Sequence, residues 1–153
     1  MKSKFITLKL GVKKNKTDGL LICLSDESIT ELIFTLNKFA AAPVIISKKN
    51  IIKSNPKYIF INSGNANACT GKEGLTNTKR ILKLLAKKLN CNSNEIIIMA
   101  TGIIGRQLPI NDIEKSIAKN TFNNYSSLKD AASSVMTTDN YPKYLSKVYQ
   151  IGS

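Results

Sequence analysis

The sequence predicts an α/β protein of mixed α+β layers, a β-sheet covered by helices. Three observations carry this. Two strongly apolar β-type runs, Tyr58-Ile59-Phe60-Ile61 and Glu95 to Met99 with three consecutive isoleucines, read as buried strands. Each passes through small residues into a segment with helical periodicity. Shorter β-type runs crowd the first 35 residues. The order is several strands, then strand–helix–strand–helix–helix–strand, with no internal repeat and no linker. With 153 residues, 42% of them apolar, residues 1–153 are expected to form a single domain.

The elements follow in order. Phe5 to Leu10 alternates apolar residues with Thr or Lys and predicts a strand. Lys13 to Asp18 is a polar turn. Gly19 to Leu24 is apolar and strand-like, and Asp26-Glu27-Ser28 closes it. Leu32-Ile33-Phe34-Thr35 predicts another short strand. It leads into Asn37 to Val44, whose alanines permit close packing. Asn50 to Lys57 is polar and ends in the turn signal Asn55-Pro56. After the strand at Tyr58 comes a loop from Asn62 to Gly71. Then Leu75, Ile81, Leu82, Leu85, Ala86 and Leu89 share one helical face, with Lys79, Lys83 and Lys87 opposite. Thr70-x-x-Glu73 has the form of a capping box and sets that helix start. Pro109 suits the first turn of a second helix, with Ile110, Ile113 and Ile117 inward. A third helix carries Leu128, Ala131, Ala132, Val135 and Met136, and Met136 to Asp139 follows as a loop. Lys143 to Ile151 predicts a last strand, before Gly152-Ser153.

Composition excludes several chemistries. There is no histidine, so no Ser-His-Asp or Cys-His triad and no His-ligated metal site can form. Cys23, Cys69 and Cys91 are odd in number and far apart. They predict reduced thiols, with neither a disulfide framework nor a zinc site. The net charge of +13 suggests an anionic partner. Yet the basic residues are 21 Lys and only Arg80 and Arg106, beside 20 Ile and 16 Asn. Nucleic-acid readers lean on Arg forks and stacked aromatics, and here aromatics are only 7%. The charge is therefore read as compositional drift on a solvated surface, with no nucleic acid as partner. No window is long and apolar enough for a signal peptide or a membrane span, so a cytoplasmic protein without a membrane partner is expected.

Three loops could carry chemistry. In Asn62 to Gly71, small residues let the backbone approach a ligand and asparagine tolerates left-handed φ. At Thr101-Gly102, a hydroxyl and a backbone N–H beside glycine suit an oxyanion hole. At Thr137-Thr138-Asp139, hydroxyls could hold a substrate carboxylate or ammonium. On pattern alone the plainer reading comes first for each: an Asn/Gly turn that connects strand to helix, a turn that needs glycine for φ above zero, and a helix C-terminal loop that satisfies its own backbone.

Taken together these segments resemble a family. Asn62-Ser63-Gly64-Asn65-Ala66-Asn67-Ala68-Cys69-Thr70-Gly71, then Ala100-Thr101-Gly102-Ile103-Ile104-Gly105 with Leu108-Pro109, then Met136-Thr137-Thr138-Asp139 with Pro142-Lys143, are similar to the ornithine acetyltransferase family. Its members are bifunctional glutamate N-acetyltransferases of arginine biosynthesis. Phe34 to Asn37 and Ala41 to Val44 resemble its early segment. The likeness runs in register from about residue 10 onward.

The resemblance implies acyl transfer without histidine. Family precursors cleave themselves before an internal threonine, whose freed α-amine then serves as base to its own hydroxyl. Acetyl passes from N-acetylornithine to that threonine and then to glutamate. By motif match, Thr101 and Gly102 form the oxyanion hole, Thr138 or else Thr137 contacts substrate, and Asn62, Ser63, Gly64 and Asn65 belong to a structural active-site loop. The nucleophile sits in a Met-Ala-Thr motif some tens of residues beyond a Lys-Gly-Ser-Gly segment, which residues 1–153 do not contain. Ala100 stands for a usual Ser, and Asn140 for a usual Thr. The chain thus resembles the front part of the family's α chain, an incomplete portion of that fold ending before the cleavage site and inactive alone. The missing β-chain is then its partner in a hetero-oligomer. No cofactor is implied, although acetyl-coenzyme A could serve as an acetyl donor. The competing readings are a non-catalytic remnant or binding module, and a basic nucleic-acid-binding domain.

Overall fold

The computed structural model describes residues 3–149. A four-stranded sheet forms in the order β1 (Lys4–Leu8), β2 (Gly19–Cys23), β3 (Tyr58–Asn65), β4 (Ile96–Ile103). β1–β2 and β2–β3 are antiparallel, and β3–β4 is parallel. Four helices accompany it: α1 (Ala42–Lys53), α2 (Gly71–Leu89), α3 (Ile110–Lys119) and α4 (Leu128–Val135). A parallel pair needs a crossover, and α2 supplies it.

Register explains the core. Ile6 lies opposite Leu21, Leu21 opposite Phe60, and Phe60 opposite Ile98, one apolar rung across all four strands. All four are at most 2% exposed. Ile46 of α1, Ile81, Leu82 and Leu85 of α2, and Ile113 and Ile117 of α3 close over the same cluster. Fully burying one such side chain is worth about 1.5–3 kcal/mol. The helical faces of α2 and α3 therefore match the sequence expectation.

α4 packs on β1, β2 and β3. Ser126, just before it, donates its N–H to Phe5 O at 2.7 Å and accepts from Thr7 N at 3.2 Å. Ser127 caps the helix by accepting from Asp130 N. At the other end Ser63 Oγ donates to Ser134 O at 2.6 Å. Both β1 and β3 thus fix the direction in which the chain leaves α4.

Several expectations need correction. The stretch from Ala42 to Lys53, read as close-packed alanines and a polar run, is a helix. Its buried positions include Ser47 and Asn50, which serve the outer edge of β4. Ser47 Oγ donates to Ile98 O at 2.7 Å and accepts from Ile98 N at 2.9 Å, while Asn50 Nδ2 donates to Ile96 O at 2.9 Å. A polar helix face here caps an open sheet edge. The strand expected at Leu32–Thr35 does not form, and Ile33 and Leu36 are fully exposed. The strand expected at Lys143–Ile151 is likewise irregular through Tyr149, and Gln150, Ile151, Gly152 and Ser153 lie outside the described residues. Among the described residues neither segment finds a neighbouring strand, and β-propensity without pairing holds no structure. α2 does start at Gly71, but Thr70 does not cap it: Thr70 Oγ1 donates to Asn67 Oδ1 instead. The capping box sits at Asn92–Glu95.

Candidate active site

Asn62, Ser63, Gly64 and Asn65, read as loop, are the last four residues of β3. Thr101 and Gly102 likewise lie inside β4. The ladder continues past the apolar runs because these side chains are small or find partners. Ser63 pairs with Thr101, and Gly64 with Gly102. Asn62, Ser63 and Asn65 are all buried and spend their side chains on the scaffold. Asn62 Nδ2 donates to Asn65 O at 2.7 Å. Asn65 Nδ2 donates to Arg106 O at 3.0 Å, and its Oδ1 accepts from Asn67 N at 2.7 Å. Asn67, also buried, bonds Gly74 O and Thr78 Oγ1 in α2. This network ties the end of β3 to the start of α2 and to the segment after β4.

The two glycines answer a close approach. Gly102 has φ +132°, and a Cβ there would lie 2.5 Å from Asn65 N and 2.7 Å from Gly64 Cα. Only glycine lets the backbones of β3 and β4 come so near.

A cleft of about 600 Å³ opens at this point. Gly64, Thr101 and Gly102 form one side, Thr137 and Thr138 another, and Lys13 a third, with Val12 and Ile103 as apolar walls. Strand alternation accounts for the meeting. Thr101 is in register with Ser63, whose side chain reaches α4, so both point to the face that α4 covers. Thr137 and Thr138 follow directly from α4. The structure therefore brings Thr101, Gly102, Thr137, Thr138 and Gly64 into one cleft, and puts Asn62, Ser63 and Asn65 behind it as supports.

Lys13 was legible only as part of a polar turn, and no spacing rule singles it out. Its Nζ donates to Met136 O at 2.9 Å. Burial pushes its pKa below the ordinary 10.5, against the opposing pull of Asp18, and Lys16 adds to the lowering. Asp18 is fully buried and accepts from Leu10 N at 2.5 Å and Lys13 N at 2.7 Å. On the far side of the loop, Asp139 bonds Lys143 at 2.7 Å and weakly accepts from Thr137 N. Lys143 first, then the Thr137 N–H, hold the Asp139 carboxyl below its ordinary pKa.

What this arrangement offers is a hydroxyl-lined, cation-flanked pocket with a glycine backbone exposed in it. Among the described residues there is no group of three or more His, Cys, Asp or Glu placed to hold a metal. Nor is any helix there long and apolar enough to cross a membrane.

A family model described as the ArgJ family matches residues 4–153. The chain belongs to the ArgJ family. It is 34% identical over 152 residues to the arginine biosynthesis bifunctional protein ArgJ of Rhodopirellula baltica, covering 97% of this chain and 37% of that protein. Against the mitochondrial ArgJ of Dictyostelium discoideum it is 39% identical over 149 residues, covering 95% and 34% respectively. The chain thus spans about a third of the length of these ArgJ relatives. Among solved structures it resembles the ornithine acetyltransferase of Mycobacterium tuberculosis complexed with ornithine, with TM-score 0.82 and 27% identity, covering 90% of this chain and 77% of that one. The ArgJ of Bacillus halodurans gives TM-score 0.80 and 26% identity, covering 90% and 73%. The mixed sheet with its helices is therefore the ArgJ fold over this region.

Proposed function

We propose that this chain is the oxyanion-hole-bearing part of an acetyltransferase of arginine biosynthesis, which moves acetyl from N-acetylornithine to glutamate. The observation that carries the reading is the meeting of Thr101, Gly102 and Thr138 in one cleft. Family membership and the likeness to an ornithine acetyltransferase support it.

Each step of an acyl transfer passes through a tetrahedral oxyanion. Its stabilisation needs donors already aimed before charge develops. The Thr101 hydroxyl is one. The Gly102 N–H is the other: residues 96 and 98 of β4 turn their backbone groups to the edge that α1 serves, and alternation carries the N–H of residue 102 to the same, there uncovered, edge. Thr138, exposed on the opposite side of the cleft, binds the amino-acid portion of the substrate. The family resemblance supplies the nucleophile, an internal threonine freed by autocatalytic cleavage and lying outside residues 1–153, a chemistry that needs no histidine from this chain. Met99-Ala100-Thr101 repeats the tripeptide of that nucleophile. However, it lies mid-strand in β4 with no Lys-Gly-Ser-Gly segment before it, and cutting there would break the ladder. The rest of the polypeptide completes the α chain and supplies its partner, a β-chain in a cytoplasmic hetero-oligomer.

The test supplies that remainder from a relative and follows acetyl transfer from N-acetylornithine to glutamate. Thr101→Ala should lower kcat by roughly 10²–10³ with KM nearly unchanged. Thr138→Ala should raise KM for N-acetylornithine. A Thr101 variant that moves only KM, or a Thr138 variant that moves only kcat, overturns the roles. Replacing N-acetylornithine by acetyl-coenzyme A in the same assay tests the second donor. A completed protein with no turnover would instead favour a non-catalytic remnant.

A further inference from the structure

The last turn of α4 contains no basic residue, and a helix leaves its final carbonyls without intrahelical partners at the negative end of its dipole. Met136 is the C-cap residue of α4, and its carbonyl is met from outside the helix by Lys13 Nζ at 2.9 Å. Lys13 comes from the β1–β2 connection, more than 120 residues earlier in the chain. It is not a loosely held surface lysine. Its own backbone N–H is gripped by the buried Asp18 carboxylate, whose other oxygen holds Leu10 N, and Ser63 N donates to Asp18 O at 2.8 Å. The support of Lys13 is thus continuous with β3 beneath the cleft.

We propose that Lys13 is a positioning residue of the cleft: clamped by Asp18, it caps the C-terminal end of α4 and fixes the Thr137–Thr138 loop opposite Thr101 and Gly102. The inference rests on the reading that Thr138 meets the substrate. It adds that the orientation of Thr138 is set by a cation from the other end of the sequence. Thr137 and Thr138 are exposed and, among the described residues, have one weak tether, the 3.5 Å contact of Thr137 N with Asp139 Oδ2. The Lys13 bond, one residue before them, is the stronger restraint, because a charged donor roughly doubles a hydrogen bond's strength.

The test uses Lys13→Met, which keeps length and loses the donor, and Lys13→Arg, which keeps a cationic donor. In the 153-residue chain, NMR should show the Met136 carbonyl carbon shifted in Lys13→Met. The backbone order parameters of Thr137 and Thr138 should fall from the roughly 0.85 of rigid backbone towards about 0.6. Lys13→Arg should restore both, with β3 and β4 signals unchanged throughout. In the completed enzyme, Lys13→Met should raise KM for N-acetylornithine about tenfold, the scale of one lost charged hydrogen bond, with kcat within about twofold. An unmoved Met136 carbonyl and rigid threonines in Lys13→Met overturn the inference whatever the activity. A loosened loop with unchanged KM instead leaves the Lys13 restraint standing and refutes Thr138 as the substrate contact.

Discussion

Gly102→Ala probes the cleft at its narrowest point. The new Cβ would lie 2.5 Å from Asn65 N and closer still to the carbonyl carbon of Gly64, all of it backbone that cannot rotate away. Real Cβ contacts stay beyond 3.0 Å, so β3 and β4 must part by roughly half an ångström or more. Forcing atoms into a packed site costs about 1–3 kcal/mol. Holding alanine at φ +132° adds about 1–3 kcal/mol. Gly105 is the internal control. It has φ +78°, but a Cβ there would meet nothing within 4 Å, so Gly105→Ala carries the conformational cost alone. The two variants should differ by about 1–3 kcal/mol in urea unfolding followed by circular dichroism. With a slope of about 1–3 kcal/mol per molar urea, that is a midpoint gap on the order of 1 M. In the completed enzyme Gly102→Ala should also lower kcat, because the strand that aims the N–H has moved. Equal destabilisation by the two substitutions would refute the close-approach argument.

Other outcomes follow from the same physics. The 153-residue chain alone should show no acetyl transfer from N-acetylornithine to glutamate, and turnover above background would place the nucleophile inside it. Ser47→Ala should cost about 1–3 kcal/mol in thermal or urea unfolding, since both backbone groups of Ile98 at the sheet edge lose their partner. Asn67→Ala should cost roughly 3 kcal/mol, because Thr70 and Thr78 lose a buried partner and alanine must sit at φ +46°. The Lys57–Glu95 pair, 2.7 Å apart, lowers the Glu95 pKa from 4.5, its bond to Lys57 first, and raises that of Lys57 from 10.5. Its contribution is present above pH 4.5 and is lost as pH falls through the depressed Glu95 pKa. At the alkaline end it is lost as pH rises through the elevated Lys57 pKa, above 10.5. Lys57→Met should therefore lower the urea midpoint at pH 7, and that difference should shrink as pH falls below 4.5.

Periodicity made β1, α2, α3 and α4 legible, because each buries one apolar face and turns a more polar one outward, while β2 was legible as a short apolar run that is buried or half-buried throughout. α1 was not legible for the inverse reason. Its inward positions include Ser47 and Asn50, while Ile52 is 80% exposed, so no apolar stripe marks it. The strand ends at Asn62–Asn65 and Ala100–Ile103 were hidden because apolarity stops before pairing does. Leu32–Thr35 and Lys143–Tyr149 mislead in the opposite direction, with β-type residues and no partner strand. At the cleft, the threonines and glycines were legible through their resemblance to a family. Lys13 was not, since a lysine in a polar turn looks solvated until the turn is folded against α4.

Topology explains why residues so far apart in sequence share one cleft. β3 and β4 run parallel and β1 runs with them, so all three strands end at the same edge of the sheet. The β1–β2 connection must turn there, which delivers Gly11 to Asp18 beside Gly64. In sheets with parallel strands, ligand sites form where loops leave the carboxyl ends of strands. α4 is tied to β1 at its start and to β3 at its end, so its exit is aimed at that edge too. A shift of β3–β4 pairing by one residue would turn Thr101 to the opposite face, away from Thr138. The Gly64–Gly102 pairing forbids that slip, because it would bring Thr101 or Ile103 to a place where a Cβ meets the β3 backbone at under 3 Å. The close approach of the two strands therefore fixes which hydroxyls face the cleft.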